Sequence, residues 1–277
     1  MALKLMYITN RPDVAAVAEQ AGVDRIFVDM EYIGKAERQC GMASVKNHHT
    51  VEDVKRLRET VSSAELLVRV NPIHEATDEY CSSKEEIEQV VEAGADIIML
   101  PFFKTVEEVV SFVGYVQKRA KCMLLLETRE AAECLDEILK VPGIDEIHIG
   151  INDLSISYGK PFMFQLLADG TVETLCLKIR LSGIPFGFGG ISSVGSGLLP
   201  AEMIIKEHYR IGSTMVILSR SFCNVTPLSD MDEVRSVFDE GVKGIRKLEK
   251  EICVHSSYFS DNTELLKERV RIIVEGS

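Results

Sequence analysis

One phrase recurs along this chain: a helix-like segment, a glycine, then a short apolar run. It appears as Ala21-Gly22-Val23-Asp24-Arg25-Ile26-Phe27-Val28, and again at Gly94 before Ile97-Ile98-Met99-Leu100. Gly143 before Glu146-Ile147, Gly183 before Ile184-Pro185-Phe186, and Gly212 before Met215-Val216-Ile217-Leu218 repeat it. Glycine supplies the left-handed residue that ends a helix. The runs are continuous rather than alternating, the pattern of strands covered on both faces, and such strands belong to parallel sheets flanked by helices.

The spacing predicts eight strands: Lys4 to Ile8, Arg25 to Val28, Leu66 to Val70, Ile97 to Leu100, Met123 to Leu126, Glu146 to Ile149, Ile184 to Phe188 and Met215 to Leu218. Between them, Thr105-x-x-Glu108 and Ser83-x-x-Glu86 read as capping boxes, and Val106, Val109, Val110, Val113 and Val116 mark one helix face. Eight parallel strands with intervening helices close into an α/β TIM (β/α)8 barrel, and 277 residues suit one such domain, 1–277. The alternative is an open doubly wound sheet. Its phosphate fingerprint is missing, because the turn after the first strand reads Thr9-Asn10-Arg11-Pro12. A C-terminal extension, 227–277, carries helical periodicity in Val234, Val237, Phe238, Val242, Ile245 and Leu248, then in Leu265, Leu266, Val270, Ile273 and Val274. It exceeds one closing helix, so part of it is expected to pack on a neighbouring subunit.

A formal charge of -12 repels nucleic acid and anionic membrane. No basic stretch leads into a long apolar segment near Met1, and no run of eighteen apolar residues occurs, so neither a signal peptide nor a membrane span is expected. Seven cysteines, Cys40 among them, form no C-x-x-C pair and read as free thiols in a reducing cytoplasm.

A barrel of this kind carries its chemistry at the C-terminal ends of the strands. Those ends hold Asp29 and Glu31, Arg69 and Asn71, Pro101, Glu127 and Asp153. Glu127 and Asp153 offer hard oxygen ligands with no Cys or His nearby, which points to Mg²⁺ or Mn²⁺ or another divalent cation. Each acid also reads as a helix-terminal residue, Glu127 ahead of Thr128-Arg129-Glu130 and Asp153 as a cap on Leu154-Ser155-Ile156. Arg69 interrupts an apolar strand; its fork suits a carboxylate, either the ligand's or that of Asp29 or Glu31. His48-His49 reads as a loop pair before a Thr50 helix cap, and His148 as a hydrogen-bonded core residue. The Gly-rich stretch Gly187 to Gly197 reads as a loop whose amides, with Gly189 and Gly190, hold an anion; as a nucleophile elbow it lacks the strand-turn-helix setting.

Phe27-Val28-Asp29-Met30-Glu31, Val68-Arg69-Val70-Asn71-Pro72, Leu126-Glu127-Thr128-Arg129-Glu130-Ala131 and Ile149-Gly150-Ile151-Asn152-Asp153-Leu154-Ser155 together resemble segments of a known family. It is that of the metal-dependent 4-hydroxy-2-oxo-acid aldolases and citrate lyase β subunits, in the phosphoenolpyruvate/pyruvate barrel superfamily. The resemblance spans about residues 5 to 222. It implies Glu127 and Asp153 as metal ligands and Arg69 at the carboxylate or carbonyl end of a pyruvate-like group. It also implies homo-oligomers, trimers or hexamers, built through exchanged C-terminal helices. This chain departs from the pattern twice: Glu31-Tyr32 stands where the aldolases place an acid followed by a catalytic His, and Leu125 where they often have Gln.

The reading that follows is a metal-assisted lyase acting on a 2-oxo-4-hydroxy acid, or joining a 2-oxo acid and an aldehyde. Its substrate-binding set is Arg69, Gly150, Asn152, Gly189 and Gly190, and its base comes from Asp29, Glu31, Tyr32 or His49. The alternatives are a citrate-lyase-like acyl-CoA lyase or thioesterase, and a metabolite-binding barrel that has lost catalysis.

Overall fold

A computed structural model of the chain describes residues 2–34, 49–224, 230–254, 257 and 259–276. Cys40, His48 and residues 227–229 lie outside them. Eight strands, β1 (Lys4–Ile8), β2 (Arg25–Asp29), β3 (Glu65–Arg69), β4 (Ile97–Leu100), β5 (Lys121–Leu126), β6 (Glu146–Ile149), β7 (Phe186–Ile191) and β8 (Met215–Leu218), pair in sequence order. All pairs are parallel, and β8 returns to β1 with Lys4 opposite Met215 and Tyr7 opposite Leu218. That closure excludes the open sheet.

Helices fill the connections: α1 (Pro12–Gln20), α2 (Val51–Thr60), α3 (Ser83–Glu92), α4 (Val106–Val116), α5 (Arg129–Glu133), α6 (Leu135–Ile138), α7 (Ile151–Ser157), α8 (Gln165–Ala168), α9 (Thr171–Leu181) and α10 (Ala201–Ile211). Two longer helices follow, α11 (Met231–Val254) and α12 (Phe259–Glu275). The glycines of the recurring unit, Gly22, Gly94, Gly143, Gly183 and Gly212, all lie at φ between +79° and +95°, where a side chain would be strained. Capping boxes start α2 at Thr50 with Asp53 and α4 at Thr105 with Glu108. The box on α3 sits one residue earlier than the sequence suggested, at Ser82 with Glu85, because Glu86 turns inward and its carboxylate takes the side-chain amide of Asn71 at 2.8 Å.

β7 is the other correction. It begins two residues later than expected and runs through Gly187, Gly189 and Gly190, so the first part of the supposed glycine loop is strand. The inner surface leaves no alternative at Gly187: a Cβ there would lie 2.3 Å from the Met215 carbonyl oxygen and 2.9 Å from His148 Nδ1.

Two cores result. The larger lies between sheet and helices. The smaller fills the barrel with Met6, Phe27, Leu67, Met99, Met123 and Met215 among its members; unbranched methionines adapt to such an irregular space. The C-terminal helices dock on this chain's own barrel. Arg246 of α11 donates to the Leu3 carbonyl at 2.8 Å, and Glu249 accepts the Leu3 amide at 2.8 Å. On α12, Asn262 and Thr263 donate to the buried Glu207 of α10 at 2.8 and 3.0 Å. No described helix is long and apolar enough to cross a membrane.

Candidate active site

Side chains alternate across a strand, so every second residue enters the barrel. The inward stripe reads Arg25, Phe27, Asp29 on β2 and Glu65, Leu67, Arg69 on β3. On β5 it reads Lys121, Met123, Leu125 and then Glu127; on β6, Glu146, His148 and then Gly150. Each stripe passes from charge through a largely apolar middle to a residue at the C-terminal mouth, where the barrel's period gathers Asp29, Arg69, Glu127 and Gly150.

Arg69 donates through Nε to Asp29 Oδ1 at 2.9 Å, and its NH1 lies 3.2 Å from Glu31 Oε2. The internal ion pair considered from sequence is therefore present, with both acids. Asp29 and Glu31 are each 1% exposed; two buried carboxylates fix the guanidinium plane, while Arg69 still lines the cavity described below.

Glu127 is buried at the end of β5, and its Oε1 accepts the Phe102 amide at 3.0 Å. Phe102 has φ +49°, an uncommon value for a residue with a large side chain, and this turn aims its N–H at the carboxylate. Gly150 completes the seat: a Cβ there would lie 2.8 Å from Glu127 Oε2. Burial pushes the Glu127 carboxyl well above its ordinary range; Glu31 and Asp153 push it further, and Arg69 opposes them.

Neither acid is held by its helix in the way the alternative reading required. Thr128, not Glu127, caps α5, its side chain accepting the Ala131 amide at 3.2 Å. Helix α7 starts from Gly150 with no side-chain cap, and Asp153 lies inside its first turn, with Oδ1 accepting from Asn152 at 3.2 Å.

A cavity of about 220 Å³ joins these groups. Its wall includes Arg69, Glu127 and Asp153, together with Gly150, Asn152, Gly189 and Gly190, so the proposed substrate set shares one space. Among the described residues no three His, Cys, Asp or Glu side chains converge as a metal cluster. Two carboxylates are nonetheless a sufficient protein contribution for Mg²⁺, which keeps water and ligand oxygens. The repulsion from Glu31 and Asp153 that adds to burial in raising Glu127 is what a divalent cation relieves, and an all-oxygen donor set suits it. The residues present fit such an ion.

Other expectations fare differently. Tyr32 is 38% exposed and its ring faces Tyr80 with centroids 5.3 Å apart, away from the cavity lining. Burial and Glu86 raise its phenol, which keeps it protonated at neutral pH and unavailable as a base. His49 is buried, and its Nδ1 accepts the Asp29 amide at 3.0 Å. A neutral ring in that arrangement carries its proton on Nε2, so it offers a donor there rather than a base. In the glycine loop after β7 the Gly195 amide donates to Glu202 at 2.7 Å and is not open to an anion.

Two residues that the sequence names without a role in the site hold its parts in place. Asn71 accepts the Tyr32 and Ile33 amides, each at 3.0 Å, and so holds the turn after β2 that carries Glu31. His148, inward on β6, lines the cavity floor and bonds the Gly189 carbonyl through Nε2 at 3.0 Å. Its position two residues before Gly150 was the available signal.

Residues 4–162 match the model of a family described as HpcH/HpaI aldolase/citrate lyase. The 2-keto-3-deoxy-L-rhamnonate aldolase of Escherichia coli (strain K12) is 26% identical over 206 residues, covering 63% of this chain and 69% of that protein. Among solved structures, an HpcH/HpaI aldolase/citrate lyase family protein from Burkholderia cenocepacia J2315 superposes with TM-score 0.60 at 15% identity, covering 84% of this chain and 95% of the other. An HpcH/HpaI aldolase from Desulfitobacterium hafniense DCB-2 gives 0.58 at 18% identity over 89% of this chain and 93% of its own. Those two likenesses establish the fold alone.

Proposed function

Because the chain belongs to the HpcH/HpaI aldolase/citrate lyase family, we propose that it is a divalent-metal-dependent carbon–carbon lyase. It cleaves a 4-hydroxy-2-oxo acid or, in reverse, joins pyruvate to an aldehyde. The observation that carries this reading is the buried Glu127 facing Asp153 and Glu31 beside the fixed Arg69 fork.

In this scheme Glu127 and Asp153 hold Mg²⁺ or Mn²⁺. When bound, the ion supplies Lewis-acid stabilisation of charge developing on the 2-oxo oxygen. Arg69, held by Asp29 and Glu31, orients the substrate carboxylate and brings a second positive charge to the same end. Proton acceptance from the 4-hydroxyl falls to the pair Asp29 and Glu31, through water, since both acids contact Arg69 and neither lines the cavity directly. His49 presents a proton on its outer nitrogen, and Tyr32 faces Tyr80. Assembly into trimers or hexamers belongs to the same proposal; Leu265 and Ile272 on α12, 58% and 48% exposed, offer apolar surface for it.

The acyl-CoA alternative gains no support from the cavity, where Arg69 is the sole cation among the described lining residues and is already matched by acids. The test is cleavage of 4-hydroxy-2-oxo acids with and without Mg²⁺. Glu127→Gln and Asp153→Asn are expected to abolish metal-dependent turnover while the circular dichroism spectrum is kept. Wild-type turnover by Glu127→Gln in Mg²⁺ would remove the basis of the scheme. Oxalate binding without cleavage of any substrate would instead point to a metabolite-binding barrel.

A further inference from the structure

The cavity has two chemically distinct parts. Its acidic side carries Glu127 and Asp153, with Asp29 and Glu31 behind Arg69. Much of its remaining wall is apolar, with Leu125, Ile151, Met163 and Ile217, interrupted by the polar side chains of His148, Asn152 and Ser219. Leu125 precedes Glu127 by two on the inward stripe of β5, about 7 Å deeper into the barrel, and is 3% exposed. This is where the resembling aldolases often have Gln, a side chain able to donate and accept; here the position is hydrocarbon.

From these residues we infer that, beyond its chelating end and the 4-hydroxyl that the lyase reading requires, the ligand is alkyl: the site takes a 2-oxo acid with a short hydrocarbon remainder, not a polyhydroxylated chain or a second carboxylate. The inference rests on the proposed 2-oxo-acid reading and narrows it. Three observations converge on it. A hydroxyl or carboxylate placed against four apolar side chains loses water without gaining a partner. The polar side chains at the rim are partly engaged within the protein, Asn152 donating to Asp153 at 3.2 Å and Ser219 bonded to Ser221 at 2.7 Å. On the floor, His148 directs Nε2 to the Gly189 carbonyl, and its Nδ1 packs against the space a Gly187 side chain would occupy. Charge adds a further bias. Among the described residues four carboxylates share the site with one arginine, so even with a divalent cation bound their balance opposes a second ligand carboxylate.

Size sets the length of the remainder. An apolar cavity of about 150 Å³ holds benzene, so about 220 Å³ accommodates on the order of nine non-hydrogen atoms by the same ratio. The carboxylate and 2-oxo group take five and the cation with its water part of the rest, leaving room for a chain of at most about four carbons.

Calorimetric titration of the full-length protein in Mg²⁺ tests this without relying on turnover. Pyruvate, 2-oxobutyrate, 2-oxopentanoate and 2-oxohexanoate are expected to bind about fourfold more tightly per added methylene. 2-Oxoglutarate and hydroxypyruvate should bind at least about tenfold more weakly than the alkyl acid of similar length. Leu125→Gln should flatten the alkyl series and improve hydroxypyruvate; Ile217→Thr is the second variant should the first fail to fold. Binding of all six acids with no dependence on chain length, or preference for the hydroxylated and dicarboxylate ligands, overturns the inference and leaves the lyase reading standing. Binding of none of them overturns both.

Discussion

His148 meets its surroundings differently at its two ring nitrogens. Nε2 faces the Gly189 carbonyl, which can only accept, so Nε2 carries the proton; Nδ1 is buried without a hydrogen-bond partner. Burial lowers its pKa to about 4, and the nearby Arg25 and Arg69 add to the effect. The sign follows from linkage. A His whose folded pKa is depressed stabilises the fold above its unfolded value, about 6.5, and that contribution is lost as pH falls toward and through 4. His208, stacked flat on Phe188 at 3.8 Å, is lowered in the same direction. Total stability also includes acids that move the other way, Glu127 and Glu86 among them, so the clean observable is a difference. The unfolding free energy of the wild type minus that of His148→Gln, from urea titrations, is expected to shrink by about 3 kcal/mol between pH 7 and pH 4. A difference that stays constant over that range would mean that the imidazole does not titrate out of a buried, neutral state. Glu127 teaches the complementary lesson: an acid whose carboxyl is raised by burial and by neighbouring acids works against the fold when ionised, which is why it reads as functional rather than structural.

At the scale of the strands, the N-terminal mouth of the barrel is closed by charge. Five strands begin with a charged residue, Lys4, Arg25, Glu65, Lys121 and Glu146. Arg25, fully buried, grips Glu146 with both terminal nitrogens at 2.6 and 2.7 Å and reaches Glu65 through Nε at 2.8 Å. Removing one partner of such a pair leaves a buried charge, whereas replacing both with hydrocarbon removes the desolvation penalty too. Arg25→Met should therefore cost on the order of 3 kcal/mol, with Lys4, 3.7 Å from Glu146, softening the loss. Arg25→Met combined with Glu146→Leu should restore most of it, and oxalate binding at the opposite mouth should stay unchanged in both; chemical denaturation and calorimetry measure the two. This plug was not read from the sequence, although the residues were in view, because strands covered on both faces look uniformly apolar and conceal which positions turn inward. The strand order, seven of the eight strand positions to within two residues, and the carboxylates at the ends of β5 and β6 were legible, since glycine-terminated helices and acids after apolar runs are local signals. β7 was misplaced because its glycines look like loop; what makes them strand is the ring of His148 and the carbonyl of Met215 pressed against Gly187. Ser83 was taken for a cap that belongs to Ser82 because the inward turn of Glu86 toward Asn71 is a tertiary event.

For the whole molecule, the question is what the two C-terminal helices do for the barrel. Helix α11 ties the chain's beginning to its end: Arg246 reaches the Leu3 carbonyl and, at 3.1 Å, Asp24, while Phe238 meets Tyr7 edge-on at 4.8 Å. Helix α12 covers α10 instead, seating Leu266 and Val270 against the core and placing Asn262 and Thr263 on Glu207, which is 1% exposed. None of the described cavity-lining residues comes from either helix. Stability and binding should therefore separate when α12 alone is removed. Ending the chain after Val254 exposes Leu266's and Val270's packing sites, at about 2 kcal/mol for each lost side chain. It also returns Glu207 to water, where Arg210 at 2.8 Å still pairs with it, so little is lost there. The truncated protein is expected to unfold at lower urea concentration by about 4 kcal/mol of stability, with a smaller dependence on denaturant because less surface is buried. Its affinity for oxalate in Mg²⁺ should be unchanged. Loss of that affinity in a truncated chain that still shows a cooperative transition would place α12 in the site itself, through a contact made by a neighbouring copy, and would turn the helix from a brace for one barrel into a link between barrels.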